Sequence, residues 1–299
     1  MLAAVDIGSN TVHLLVAEAE SGGVRRICDE NEWLNLGEIV ARSGEVPLPL
    51  QDQLINTLSS YRSMAKQEKA EKFYVFGTEA MRRAANTKKV LKRIKAEVGV
   101  EVDLVSGQRE AELCIAGILV DSDEADEMIV AEVGGGSAQV AFVKNQALVD
   151  DASLPLGTGT LAAKHALSFP CSKKKLADLT EHIRKELSSG APHPTVGLVV
   201  ASGGVARGLW RTLHPDGERE ILMEELNYLI WATQRLSLGQ IEGRFSVKPR
   251  RATTLLTGAL VYREVLERYC QNRMLVSRFG VREGAVIELS RGGIKGWNL

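Results

Sequence analysis

The chain is poor in cysteine, in aromatic residues and in net charge, and each shortage excludes something. Its four cysteines, Cys28, Cys114, Cys171 and Cys270, stand far apart, so neither a CxxC redox pair nor a cysteine zinc site is encoded. Scattered thiols suit a reducing compartment, and a cytoplasmic protein is expected. The formal net charge of -1 excludes bulk attraction to a nucleic acid polymer or an anionic membrane, so any anion site has to be local. No run approaches about 18 uninterrupted apolar residues, and no transmembrane helix is expected. "MLAAVDIGSN" meets an acid at Asp6 and has no basic region, so no signal peptide is expected. The tryptophans are dispersed, which points to core or interface rather than to a base-stacking platform.

What is present is a pattern that runs twice. Residues 2–7 and 12–17 are apolar and β-branched around a small polar turn, which predicts a β-hairpin. Residues 24–33 supply a third strand. Leu54, Leu58, Tyr61 and Ala65 have helical spacing and predict a helix over 50–69. A strand at 72–76, helical residues from 77 to 98, a strand at 102–105 and a helix at 108–120 follow. The polar run "DSDEADE" reads as a linker. The order then restarts with a hairpin at 128–133 and 138–144, a strand at 146–154, helices at 159–167 and 172–188, and a strand at 196–200. Helices at 205–213, 221–236 and 251–269, a strand at 273–276 and a helix at 282–291 complete the series. Strands lead helices in both halves, so the class is α/β. Asp6 aligns with Glu132, Gly8 with Gly134, Thr11 with Ser137 and Leu14 with Val140, which points to an internal duplication. Two domains are expected, 1–122 and 123–299, with the last helix able to pack back on the first. A cleft between them is the expected ligand site.

The two hairpin turns carry the chemistry. Gly8, Ser9 and Asn10 in "VDIGSN", and Gly134, Gly135, Gly136 and Ser137 in "EVGGGS", offer backbone N–H groups and small donors of the kind that bind phosphate oxygens. Asp6 and Glu132 precede the turns. A carboxylate repels phosphate, but it holds a divalent cation that bridges to it. One glycine turn alone reads as an ordinary hairpin. Two matching turns, each led by an acid, point to phosphate.

These stretches resemble the phosphate-binding turns of the actin, hexokinase and heat-shock ATPase superfamily. "FGTEAMRRAAN" (76–86), "VSGQREAELCIAGI" (105–118), "LPLGTGTL" (154–161), "VASGGVARGL" (200–209), "RRATTLLTGALV" and "VSRFGVREG" narrow the resemblance to the exopolyphosphatase / guanosine pentaphosphate phosphohydrolase (Ppx/GppA) family. It covers essentially the whole chain, in the family's order. It implies two ribonuclease-H-like domains of the actin-like ATPase type facing across a cleft, magnesium as cofactor, and a homodimer. The implied reaction removes a terminal phosphate from inorganic polyphosphate or guanosine pentaphosphate. The implied catalytic glutamate is Glu110, with Asp6 and Glu132 toward the metal. Arg82 matches the family's phosphate-contacting arginine, and Arg251 matches a second, although Thr253 stands where the family usually has an acid.

Each of these residues also has an ordinary reading. Glu110 suits a helix N-terminus through the dipole, and that role can coexist with catalysis. Arg83 reads as a surface residue, His13 as structural, and the lysine clusters at 88–95 and 173–175 as solvated helix faces. Glu132 is the departure that bears on catalysis. The family normally has aspartate there, and magnesium's tight octahedral shell is sensitive to where a carboxylate ends. The chain resembles the family's short form, which carries an expected preference for short polyphosphate or a nucleotide. Two further readings stay open: a binding sensor for guanosine tetra- and pentaphosphate, and a sugar or acetate kinase. "SGQREAEL" before the second turn argues against the kinase.

Overall fold

A computed structural model describes every residue except 21–22, 122–125 and 196. The chain splits into two compact units, Met1–Asp121 with Phe279–Leu299, and Ser122–Arg278.

The first unit opens with strands β1 (Leu2–Ile7), β2 (Thr11–Glu20) and β3 (Gly23–Trp33). Helices α1 (Leu36–Ser43) and α2 (Leu48–Gln67) lead to β4 (Lys72–Gly77). Helices α3 (Glu79–Arg83) and α4 (Thr87–Val98), the short β5 (Asp103–Leu104) and α5 (Gly107–Asp121) follow. β1, β2 and β3 are antiparallel neighbours, and β4 runs parallel to β1, so the crossover through α1 and α2 returns the chain beside its first strand. Strand periodicity divides the sheet. Ala3, Val5 and Ile7 of β1, with Val12, Leu14 and Val16 of β2, share a core with Leu54 and Leu58 of α2 and Ile94 of α4. Ala4 and Leu15 are equally buried and face the other way.

The second unit repeats the plan. Strands β6 (Glu127–Val133), β7 (Ala138–Lys144) and β8 (Ala147–Leu154) form a meander. Helices α6 (Thr158–Lys164) and α7 (Lys173–Gly190) return the chain to β9 (Val199–Ser202), parallel to β6. Then come α8 (Gly203–Leu213), β10 (Glu220–Leu222), α9 (Met223–Arg235), α10 (Leu238–Phe245), α11 (Pro249–Arg268) and β11 (Arg273–Val276). The sheet order is β10-β11-β9-β6-β7-β8. α11 is the central helix of the core, with Leu256, Leu260, Tyr262 and Leu266 fully buried; Pro249 starts it, where the missing N–H costs nothing.

The chain then rejoins the first unit. α12 (Val281–Arg291) packs on α5 and on β1 and β2, and β12 (Trp297–Asn298) adds an antiparallel edge to β4. α5 and α12 touch through backbone. A Cβ on Gly284 would lie 1.7 Å from the Leu113 carbonyl oxygen, and one on Gly117 would lie 2.3 Å from that of Gly280.

The duplication is visible in strand register. Asp6 stands opposite His13 and beside Phe76; Glu132 stands opposite Gln139 and beside Ser202. The same displacement along the chain relates each pair. It also carries the register shift at Val16/Ala17 onto the one at Phe142/Val143.

The structure corrects the sequence reading in several places. Helix 221–236 starts at Met223, because Ile221 pairs with Met274 in the sheet and Glu225 caps the Leu222 N–H at 2.8 Å. α1, α10 and β12 were not expected. The strand at 102–105 is only Asp103–Leu104, and the strand at 196–200 is Val199–Ser202, with Val196 outside the described residues. Most of the acidic linker also lies outside them. Among the described residues no helix is long and apolar enough to cross a membrane.

Candidate active site

In the first unit the parallel strands β1, β4 and β5 end together, with Ile7 beside Gly77 and Gly77 beside Leu104. Sites in open α/β sheets form at this edge. β1 delivers Asp6 and the turn, which the Gly8 N–H closes onto the Thr11 carbonyl at 3.0 Å. β4 delivers Thr78, whose N–H donates to the Ile7 carbonyl at 3.2 Å, and then Arg82 on α3. β5 delivers Glu110, in the first turn of α5.

The turn's carbonyls are held from behind. Gly37 N–H donates to Ser9 at 2.7 Å, and Leu34 and Asn35 N–H donate to Asn10 at 3.0 and 2.9 Å. The second unit does the same with other residues. Gly134 N–H closes onto the Ser137 carbonyl at 2.9 Å. Thr158 N–H donates to Gly134 at 2.9 Å, Gly159 N–H to Gly135 at 2.9 Å, and the Thr160 hydroxyl to Gly136 at 2.7 Å. Gly157 lies so close that a Cβ there would sit 2.3 Å from the Gly136 carbonyl carbon. Both turns therefore have their carbonyls engaged. The N–H groups of Ser9, Asn10, Gly135, Gly136 and Ser137 donate to no other described residue, and all five residues are partly open to solvent. Backbone N–H groups of this kind seek acceptors, and a concave run of them suits an anion.

Arg82 and Glu110, predicted from separate motifs, are brought together. One guanidinium nitrogen, Nη1, donates to the Val105 carbonyl at 2.6 Å and to Glu110 Oε2 at 3.3 Å. The remaining Arg82 nitrogens donate to no described residue, which leaves one side of the fork for an acceptor such as phosphate. Arg83 turns away and pairs with Glu79 at 3.3 Å on the surface. His13 stands opposite Asp6 in the hairpin.

Asp6 faces the side of the sheet on which α12 packs. There the buried Arg282 donates to Asp29 at 2.6 Å. Burial works against the Arg282 charge, but Glu283, Asp29 and Asp6 outweigh it and hold the guanidinium more firmly protonated than usual. Asp29 shows the converse: burial raises its pKa, but Arg282 wins and keeps the carboxyl below its ordinary range.

Glu132 has a berth of its own. Gly203, with φ +86, lies against it, and a Cβ there would stand 2.9 Å from Oε1 and 3.0 Å from Cγ. At the matching place in the first unit, Gly77 is filled instead by Met81 and Leu104. The longer acid thus fits because a left-handed glycine clears its path. The Tyr262 hydroxyl fixes the same spot, accepting from Val133 N–H at 3.2 Å and donating to the Ser202 carbonyl at 3.0 Å.

Arg251 lies along α8. It donates to the Gly204 carbonyl at 2.7 Å and fills the space beside Gly208. Burial, then Arg211 and Arg207, lower its pKa, and an arginine so placed stays charged. Three guanidinium groups therefore share one face of this unit. Sequence reading missed Arg207 and Arg211, although their spacing of one helical turn in "GVARGLWR" was the available signal. It also missed the bracing residues Thr158 and Thr160, which only a long-range contact reveals.

Carboxylate oxygens are the hard donors that magnesium takes, and Asp6 and Glu132 are placed identically in the two hairpins. Among the described residues no group of three or more His, Cys, Asp or Glu side chains could hold a metal alone.

A profile of the Ppx/GppA phosphatase family matches residues 15–291. Exopolyphosphatase 1 of Mycobacterium tuberculosis is 28% identical, over 96% of this chain and 87% of that one. The guanosine-5'-triphosphate,3'-diphosphate pyrophosphatase of Photobacterium profundum is 23% identical, over 97% of this chain and 59% of that one. The crystal structure of the Aquifex aeolicus member of the Ppx/GppA family superimposes with a TM-score of 0.87 at 25% identity, over 98% of this chain and 99% of that one.

Proposed function

Since the chain belongs to the Ppx/GppA phosphatase family and shares its two-domain actin-like ATPase fold, we propose that it is an exopolyphosphatase, a magnesium-dependent hydrolase of the terminal phosphate of inorganic polyphosphate. The observation that carries this reading is the set of outward N–H groups on the two carbonyl-braced turns. Within each unit they suit phosphate oxygens.

Glu110 accepts a proton from the attacking water, whose oxygen bonds to phosphorus as the bridging P–O bond breaks. The leaving group is the shortened polyphosphate. Arg82 holds the carboxylate from one side and offers its free donors to the phosphoryl oxygens. Arg251 contributes positive charge at the start of α8, just after Ser202, the strand neighbour of Glu132. Asp6 and Glu132 are the residues that would hold magnesium, which when bound neutralises charge on the phosphoryl oxygens. A homodimer and a cytoplasmic location belong to the same reading.

A second reading is the same chemistry on guanosine pentaphosphate, favoured by the similarity to the Photobacterium protein. A sensor that binds guanosine tetra- or pentaphosphate with little turnover is its limiting case. One panel separates them: phosphate release from polyphosphates of several lengths, guanosine pentaphosphate and ATP, with and without magnesium, for wild type and Glu110→Gln. Release from polyphosphate that needs both magnesium and Glu110 is expected. Release from the nucleotide alone would favour the second reading, and no release with tight nucleotide binding would favour the sensor.

A further inference from the structure

The second turn is held by α6, and α6 is pinned at its far end by three side chains that the proposed reaction does not use. At the near end, Thr158, Gly159 and Thr160 grip the carbonyls of Gly134, Gly135 and Gly136. At the far end, Lys164 Nζ stands 2.9 Å from His182 Nε2 of α7, and His182 Nδ1 stands 2.8 Å from His165 Nε2. α6 has seven residues, so its two attachments lie only about 9 Å apart along the helix at about 1.5 Å per residue.

These contacts assign the protons. An ammonium only donates, so His182 Nε2 accepts from Lys164. A neutral imidazole carries one N–H, which for His182 then sits on Nδ1 and donates to His165 Nε2. The His165 proton is left on Nδ1. The chain from Lys164 through His182 to His165 therefore closes only while both rings are neutral. A proton added to His165 goes to Nε2 and faces the His182 N–H. A proton added to His182 goes to Nε2 and faces the Lys164 ammonium. For that case a second partner is in place: Glu186 Oε1 stands 3.5 Å from the same His182 nitrogen. Against neutral His182 it meets a lone pair; from the protonated ring it accepts a charge-assisted hydrogen bond.

We propose that Lys164, His165, His182 and Glu186 form a proton-operated latch on the brace of the second turn. With both rings neutral, α6 is fastened to α7 and the carbonyls of the turn stay held. One proton moves His182 from Lys164 to Glu186, unfastens α6 and slackens the brace. The surrounding charges fit a latch that is shut at neutral pH. Burial, then His182 and Lys164, hold the His165 pKa below its ordinary value, against Asp178, so the shut state takes up its proton only in acid. Lys175 of α7 is engaged by the Ala166 carbonyl. α11 also packs on α6, but it directs Arg251 to α8, Arg263 and Glu264 toward Arg184 of α7, and Arg268 to Ala191 and His193. A weaker hold on phosphate when the latch opens follows from the reading of the second turn given above, and rests on it.

Amide hydrogen exchange at Thr158, Gly159 and Thr160, whose N–H groups make the brace, tests the latch directly. Their protection factors should fall about tenfold or more between about pH 7.5 and about pH 5.5, the range in which imidazole titrates, while those of β9 hold. Glu186→Gln removes the acceptor that favours the proton and should move the midpoint down by roughly half a pH unit. Lys164→Met removes the opposing charge and should move it up by about as much. His182→Gln, which does not titrate, should abolish the dependence. Circular dichroism checks folding at both ends of the range; if His182→Gln is unfolded, the two charge variants decide. Protection that is flat with pH in the wild type, or midpoints that move the same way in both charge variants, overturns the proposal. Calorimetry with inorganic tripolyphosphate reads the consequence: acid should weaken binding by about tenfold more in the wild type than in His182→Gln. Protection that falls in acid while the two proteins lose affinity equally would leave the latch standing and overturn the phosphate reading of the second turn.

Discussion

Two helices of the first unit begin almost alike: α5 with Gly107-Gln108-Arg109-Glu110, and α12 with Gly280-Val281-Arg282-Glu283. Both follow a strand that runs into Val-Ser. Their fates differ. Glu283 is 1% exposed, accepts the Gly280 N–H at 2.9 Å, and is closed off by Arg26 at 2.8 Å. Glu110 keeps 17% of its side chain exposed and meets Arg82 at 3.3 Å. The same local sequence thus yields a sealed structural carboxylate in one place and an accessible one in the other. What decides is the partner that the fold sets opposite. The hairpin acids teach the same lesson, since Asp6 and Glu132 share a register and differ in the glycine that flanks them.

The sharpest way to break the comparison is to remove each charge in turn. Glu110→Gln should lower kcat by about 10²- to 10⁴-fold with little change in melting temperature. Glu283→Gln should do the reverse, costing about 1–3 kcal/mol of stability by weakening charged hydrogen bonds, with kcat nearly unchanged. Phosphate release and thermal melts read both. Gly284→Ala comes next. Its Cβ would meet Leu113 backbone, whereas a Cβ on Gly258 of α11 would meet the Val205 side chain. Overpacking at Gly284 should cost about 1–3 kcal/mol, and Gly258→Ala should cost less.

The hairpin acids give a smaller contrast. Gly203→Ala should push the Glu132 carboxylate aside and cost about 1–2 kcal/mol of backbone strain besides, seen as a fall in activity. Glu132→Asp should leave activity within about threefold of wild type or higher, a difference of under 1 kcal/mol in barrier. Complete loss would mean that the site depends on the longer acid in its berth at Gly203. The smallest effect concerns acid. α6 braces the second turn and ends in a histidine pair, with His165 Nε2 2.8 Å from His182 Nδ1 and Lys164 Nζ 2.9 Å from His182 Nε2. Burial, then His182 and Lys164, lower the His165 pKa, against Asp178. The unfolded chain therefore binds more protons here, so stability should fall as pH drops below about 6.5 and level off below the folded value. Thermal melts between neutral and acid pH should show this slope, and His165→Gln should flatten it.

Much of the site could be read in advance because its signals are local. A glycine turn led by an acid, repeated at a constant displacement, identifies both hairpins before any contact is known. Arg82 and Glu110 came from separate motifs, and the sheet edge joins them. The berth at Gly203, the Tyr262 hydroxyl between β6 and β9, and the bracing of Gly134–Gly136 by Thr158 and Thr160 were not legible. Each depends on residues distant in sequence, and none alters local periodicity. α1 and α10 were missed because eight residues hold barely two turns of pattern. β10 hid in an apolar run that also suits a helix.

The return of Phe279–Leu299 to the first unit has a consequence for biosynthesis. A nascent chain leaves the ribosome from its N-terminus, and domains fold as their residues emerge. The second unit is therefore complete while the first still lacks α12, the Arg26–Glu283 pair and the edge strand β12. α5, which carries Glu110, acquires its backbone-to-backbone neighbour only after the whole second unit has been made. Of the two units, the one whose synthesis starts first is finished second, and the carboxylate assigned to the chemistry is seated only once residues 279–299 have followed the second unit.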